Sequence, residues 1–209
     1  MDLRWEWFFD EAQVVAVSGF YKRFQDPIEL QVRNVNNRAS QYLNSKGARS
    51  FGAEIELRIN LGHLSDLVRN FDFETNLALI HSRIELSDIG AQVGRSERPM
   101  FGQAPYALNV GLHYYQPRIK LRSGLVYNVV GPRITEVGIR SGDIILDDQE
   151  EQPFHSLDWI NSWQMSEHFK LKLKVKNVLF QKKTVKEGPY TVESRTPGTE
   201  ASVGVTYEH

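Results

Sequence analysis

Six histidines are spread along the 209-residue chain, at positions 63, 81, 113, 155, 168 and 209. No two stand at the paired spacing of a metal-ligand set, so each reads as a structural or loop residue. There is no cysteine, which removes disulfides, thiolate metal sites and cysteine nucleophiles. The acidic run "DIILDDQEE" at 143–151 carries the oxygen ligands that calcium prefers, but lacks the glycine and ligand order of an EF-hand. "GPRI" at 131–134 reads as a turn set by Gly131 and Pro132 rather than a phosphate-binding loop. Serine, histidine and aspartate are all present, yet no nucleophile elbow places them on a strand-to-helix turn. We therefore expect no enzyme and no cofactor.

The informative chemistry is charge placed at every second residue. In "FKLKLKVKNVLF", Lys170, Lys172, Lys174 and Lys176 alternate with Phe169, Leu171, Leu173 and Val175. On a strand, alternate side chains point to opposite faces, so one face is ammonium and the other hydrocarbon. Phe51, Ala53, Ile55, Leu57 and Ile59 alternate in the same way with Glu54, Glu56, Arg58 and Asn60. The 25 basic and 26 acidic residues leave a net charge of −1, which gives no reason to expect a nucleic-acid partner. The mean hydropathy of −0.42 is that of an ordinary soluble protein. A membrane β-barrel gives a similar average, because only half of each strand faces lipid. No stretch is long and apolar enough to cross a bilayer as a helix.

The elements carrying these charges are strands. Leu3, Trp5, Trp7 and Phe9 begin the series, and a long run is expected over about 14–32. A polar loop over 33–50 separates it from "FGAEIELRINL". After the short connection "GHLSDLVRN", Phe71, Phe73, Leu77 and Leu79 resume the alternation. A loop rich in glycine, serine and charge covers about 88–104. Then come Tyr106, Leu108, Val110, Leu112 and Tyr114, a tight turn at Gln116-Pro117-Arg118, and Ile119, Leu121, Leu125, Tyr127 and Val129. A long acidic loop reaches about 154, followed by Leu157, Trp159, Trp163 and Met165 with Asn161 breaking the face. The lysine strand, a loop holding Gly188, Pro189, Pro197 and Gly198, and "ASVGVTY" complete about nine strands, with no amphipathic helix.

Short polar turns alternate with long loops, and the strands exceed the ~5–6 residues usual in soluble sheets. Membrane barrels have short turns at one end and long loops at the other. The aromatic residues Trp5, Trp7, Phe8, Phe9, Tyr114 and Tyr115 stand at strand ends, where interface girdles are expected. A dry core would not accept so many charges unpaired. Glu54, Glu56, Arg58, Lys120, Arg122, Asp158, Lys170, Lys172, Lys174 and Lys176 are therefore expected to face a wet lumen or a polar plug. Ile55, Leu57, Leu108, Val110, Leu112, Leu171, Leu173 and Val175 are expected to face outer-membrane lipid. Two other readings remain: a small self-closed or structural barrel without transport activity, and a soluble lipocalin-like carrier.

Several stretches resemble the C-terminal part of the barrel of TonB-dependent outer-membrane receptors: "DLRWEWFF", "VVAVSGFYKRFQDPIE", "NSKGARSFGAEIELRINL", "SGLVYNVVGPRITEVG", "FKLKLKVKNVLFQ" and the closing "RTPGTEASVGVTY". The resemblance implies an all-β, antiparallel up-and-down transmembrane β-barrel. The nine long strands are then a portion of a barrel of about 22 strands. It implies a Gram-negative outer-membrane receptor taking up an iron chelate, cobalamin, glycan or peptide, with energy from the TonB complex. Ala201, Val203, Val205 and Tyr207 keep the alternation of the family's recognition signal for the barrel-assembly machinery. Position 209 is His where the family usually ends in an aromatic residue. Met1-Asp2-Leu3-Arg4 does not start a signal peptide. The expected implication is that the plug domain, its TonB-contacting region and the remaining strands lie outside these residues.

Overall fold

The computed structural model describes residues 1–11, 13–34, 36–85, 97–141 and 143–207, without the side chains of 140 and 141. Most of the expected 88–104 loop and His209 lie outside the described residues. The strands in chain order are β1 (Asp2–Asp10), β2 (Gln13–Gln25), β3 (Ile28–Asn34), β4 (Ala39–Asn44), β5 (Gly47–Asn60), β6 (Phe71–Glu85), β7 (Glu97–Arg98), β8 (Tyr106–Gln116) and β9 (Leu121–Val130). They continue as β10 (Arg133–Glu136), β11 (Ile139–Ser141), β12 (Ile144–Leu146), β13 (Gln149–Glu151), β14 (Phe154–Gln164), β15 (Phe169–Lys176), β16 (Lys183–Glu187), β17 (Tyr190–Arg195) and β18 (Glu200–Tyr207).

One antiparallel wall runs β1-β2-β5-β6-β8-β9-β14-β15-β18, with β7 added beside β6. These nine strands match the nine alternating runs of the sequence. Each meets the next along the chain, apart from the short strands inside the long loops. At one end the connections are tight: Leu61–His63 and Asp66–Val68 form 3-10 turns between β5 and β6, and Pro117–Ile119 forms another between β8 and β9. Asn60 and Ser65 cap the first two by accepting backbone N–H bonds from Gly62 and Leu67. No helix is long and apolar enough to cross a membrane.

The long connections differ from the sequence expectation. The run expected over 14–32 breaks at Asp26, which has a φ of 48°, and at Pro27, which has no N–H to continue a ladder. Past that break, β3 and β4 form a hairpin of their own, so most of the expected 33–50 loop is strand, and β5 starts at Gly47. The acidic loop also folds: β10 pairs β13, and β11 pairs β12. The last loop supplies β16 and β17, and all four of β10, β13, β16 and β17 form one small sheet. Period-2 alternation marked the wall strands and β3, whose Ile28, Leu30 and Val32 ran on from β2 in sequence, whereas β4, β10 and β13 carry too few apolar residues to show it.

Much of the buried core lies at this end, while Val14 and Ala16 are buried toward the tight-turn end. Ala48, Ser50, Ser82 and Ile84 are buried, and register places all four on one face of β5 and β6. Val32, Ala104, Ile134 and Val137 from the long connections are buried as well. Val32 N–H donates to Val137 O at 3.0 Å, and Gly102 N–H to Ile134 O at 2.8 Å. Among them sits an ion pair whose side chains are nearly dry, Arg98 at 4% and Glu29 at 1% exposure. Arg98 donates from Nη1 and Nη2 to the two Glu29 oxygens at 3.0 and 2.6 Å. Ser45 Oγ and Phe101 N–H also donate to Glu29, at 2.9 and 3.1 Å. The pair thus ties β3 to β7, which are far apart in sequence.

Removing one partner of such a pair strands the other charge in a dry site, at a cost of ~3–5 kcal/mol. Glu29→Gln is expected to raise hydrogen exchange over 28–44 and 97–104 strongly. The double variant Glu29→Leu with Arg98→Met is expected to do so far less. Equal effects would show that the charge pairing does not organise these segments.

Candidate functional site

The wall has a polar and an apolar face, and register assigns each side chain to one of them. Val14↔Arg58, Ala16↔Glu56 and Ser18↔Glu54 put these residues on one face of β2 and β5. Across β6 the same face carries Asp72, Glu74 and Asn76; across β8, Asn109, Gly111 and His113. It continues through Arg122, Gly124 and Asn128 of β9 to Ser156, Asp158, Ile160 and Ser162 of β14. Lys170, Lys172 and Lys174 then pair with Gln164, Ser162 and Ile160, so they share it. Lys176 lies opposite Glu200 of β18. Nine of the ten residues expected to face a lumen therefore occupy one face.

Lys120 does not. It ends the Pro117–Ile119 turn in the left-handed conformation, φ 51°, and is exposed. The alternation of "IKLRSG" suggested a strand through this position, but the proline turn claims it first. The eight residues expected to face lipid, Ile55, Leu57, Leu108, Val110, Leu112, Leu171, Leu173 and Val175, all have the opposite parity. Ala201, Val203, Val205 and Tyr207 extend that apolar face onto β18. The aromatic expectation is corrected at two positions. Phe8 pairs with Val14 and Tyr115 with Arg122, which puts both on the polar face. The Arg122 guanidinium lies 4.9 Å from the Tyr115 ring centroid. Trp5 and Trp7 keep the apolar parity.

Polar atoms on the apolar face have been given partners. Trp159 Nε1 donates to Ser123 Oγ at 3.1 Å, and Tyr127 Oη lies 2.6 Å from His155 Nδ1. Asn161 is the exception: its Nδ2 is buried without a partner among the described residues.

The polar face is not chemically uniform. Toward β1 its charges are paired: Arg4 reaches Glu6 at 2.5 Å and Glu56 at 2.7 Å. Near the tight-turn end a recess of about 530 Å³ is lined by Arg58, Asp72, Glu74, His113, Tyr115 and Arg122, among others. In it His113 Nε2 lies 3.1 Å from Glu74 Oε1. Space for the imidazole comes from glycine: a Cβ at Gly124 would stand 2.5 Å from His113 Nδ1, and one at Gly111 2.7 Å from Glu74 Cγ. Asp158 has a structural role, accepting from Ser156 Oγ at 2.9 Å and from Asn177 N–H at 3.1 Å. Buried Asn177 in turn donates from Nδ2 to Gly198 O at 2.8 Å, and so fixes the base of the last loop. The loop sheet is clamped by Arg38, which reaches Glu187 at 2.5 Å and Glu136 at 3.1 Å. The bond to Glu187 is the main cause holding the Arg38 pKa above its ordinary value, with burial opposing.

Sequence reasoning missed Glu29, Arg98, Arg38 and Asn177. Glu29–Arg98 and Arg38–Glu187 join residues 69 and 149 positions apart, and no local pattern announces such pairings. Among the described residues no three His, Asp or Glu side chains stand together as metal ligands.

The family model described as "TonB dependent receptor-like, beta-barrel" matches residues 1–178. No curated protein matches the chain. Among solved structures the chain is similar to the FrpB iron transporter from Neisseria meningitidis (F3-3 variant), with a TM-score of 0.64 and 14% identity over 99% of this chain and 30% of that one. It is similar to the copper transporter OprC, with a TM-score of 0.68 and 19% identity over 99% and 30%. It is also similar to the ferric-catecholate import receptor Fiu from K12 E. coli, with a TM-score of 0.66 and 13% identity over 99% and 27%. At these identities the likeness shows the fold, and the chain spans under a third of each structure. Its nine ordered wall strands and the family match over most of its length lead to one conclusion: the chain belongs to the TonB-dependent receptor β-barrel family, as a portion of the barrel wall.

Proposed function

We propose that this chain is the C-terminal wall of a TonB-dependent receptor in the outer membrane of a Gram-negative bacterium, and that the receptor takes up a nutrient ligand. The observation that carries this reading is the two-faced wall, in which Glu54, Glu56, Arg58, Asp72, Glu74, Arg122, Asp158 and the β15 lysines share one parity and Ile55, Leu57, Leu77, Leu108, Val110, Leu112, Leu171 and Leu173 the other, with Arg23, Arg49 and Arg83 on the second parity only beside the long connections. In this reading the apolar face meets lipid and the polar face lines the lumen and receives the plug. The TonB complex acts through the N-terminal region of the receptor, and the barrel-assembly machinery reads Val203, Val205 and Tyr207. Their exposure on the outermost strand supports that role. The expected ligand classes are iron chelates, cobalamin, glycans and peptides. The similar structures are named for iron, copper and ferric-catecholate transport, which supports a metal-bearing cargo. No catalytic role is assigned to the chain.

The self-closed alternative has less support. Among the described residues β1 pairs only with β2, and β18 only with β15. Open edges are not viable in lipid, so further strands must meet them.

Two measurements test the reading. Light scattering with and without detergent is expected to find a detergent-dependent particle that contains additional barrel and plug polypeptide. A monodisperse, detergent-free monomer would overturn it. In the receptor refolded into lipid vesicles, Val110→Arg is expected to cost ~2–4 kcal/mol by urea unfolding, and Asn109→Arg, one residue away, much less. Equal costs would mean that the two faces do not separate lipid from water.

A further inference from the structure

The polar face contains one line of cations that the wall itself leaves uncompensated. Arg4 is held by Glu6 and Glu56, His113 lies against Glu74, and Lys176 pairs with Glu200 at 3.3 Å. Lys170, Lys172 and Lys174 make no ion pair or side-chain hydrogen bond among the described residues. No carboxylate stands directly opposite them on either neighbouring strand, and the two diagonal to Lys174 are engaged elsewhere, Asp158 with Ser156 and Asn177 and Glu200 with Lys176. On β14 their partners are Gln164, Ser162 and Ile160, and on β18 they are Thr206, Gly204 and Ser202. The recess at the tight-turn end includes Ile160 and Ser162 but none of these lysines. They form an open line on the wall rather than a converging pocket.

We propose that Lys170, Lys172 and Lys174 dock an extended acidic polypeptide segment whose carboxylates recur at every second residue. The spacing argues for this occupant. Alternate residues of an antiparallel strand are about 7 Å apart, so the three ammonium groups recur at the same interval as the side chains on one face of another extended chain. A small polyanion covers two neighbouring lysines and leaves the third unmatched. A chain with carboxylates at i, i+2 and i+4 meets all three at once. Ser162, Gly204 and Ser202 beside the line are short and leave side-on access to an extended backbone. The proposal rests on reading the polar face as the lumen side. The occupant is then a segment of the polypeptide that fills the barrel, and the contact is charge-assisted.

The test is zero-length carbodiimide coupling of lysine to carboxylate in membranes carrying the whole receptor, followed by peptide mapping. The expected product joins Lys170, Lys172 or Lys174 to Asp or Glu residues that alternate in a segment outside 1–209. The triple variant Lys170→Gln, Lys172→Gln and Lys174→Gln is expected to lose these products while still reaching the same membrane fraction. High salt during coupling is expected to reduce the yield. Lysines that stay uncoupled yet are readily acetylated by a water-soluble reagent would overturn the proposal, as would linkage only within 1–209. Protection by a phosphate-bearing lipid, with no linked peptide, would also overturn it. The coupling result does not depend on which membrane holds the protein, so failure of the outer-membrane assignment is separately visible by fractionation.

Discussion

Backbone hydrogen bonding between neighbouring strands is the constraint on which the rest of this chain depends. A strand in hydrocarbon has no water to satisfy its N–H and C=O groups, so each must pair with the next strand. That pairing fixes the side-chain period at two and keeps it in phase from strand to strand. β2 and β5 hold one register from Val14↔Arg58 to Gln25↔Gly47, and β5 and β6 from Gly47↔Glu85 to Asn60↔Asp72. A slip of β5 by one residue against β2 and β6 would carry Glu54, Glu56 and Arg58 to the apolar face. The two-faced wall therefore follows from keeping the ladder intact.

Outside the wall the constraint relaxes, and side chains take over. The loop strands are short and are joined by specific polar contacts: Glu29 with Arg98, Arg38 with Glu136 and Glu187, and Asn177 with Gly198 and Gln181. A buried ion pair adds little net stability over apolar residues of the same volume, but strongly disfavours arrangements that separate its members. Glu29 accepts four hydrogen bonds, which leaves its carboxylate fully matched in one loop arrangement. These contacts give the long connections a defined shape at the end where they gather.

Along the polar face, charge compensation varies from strand to strand. Near β1 and β5 the wall neutralises its own charges, and the glycines at 111 and 124 make room for the His113–Glu74 contact. On β15 it does not. A wall that balances its charges internally in one sector and not in another presents chemically different surfaces along its polar face.

Much of this was legible in the amino-acid order. Alternation in "FGAEIELRIN", "YALNVGLHYY" and "FKLKLKVK" determined the wall strands and their two faces, because period two is local and needs no knowledge of partners. Lys120 shows where the local pattern misleads: it keeps the parity of a strand residue but follows Pro117, and the turn takes it out of the wall. Phe8 and Tyr115 show another limit, since an aromatic near a strand end reads as an interface residue whichever face it occupies. The tertiary structure alone decided the loop strands, the Glu29–Arg98 pair and the Asp158–Asn177 contact. The ion pair joins residues 69 positions apart, and the Asp158 contact falls on Asn177, one residue past the end of the alternating strand. Burial of a charge beside its partner depends on how the chain returns in space, and two-residue alternation carries no information about that return.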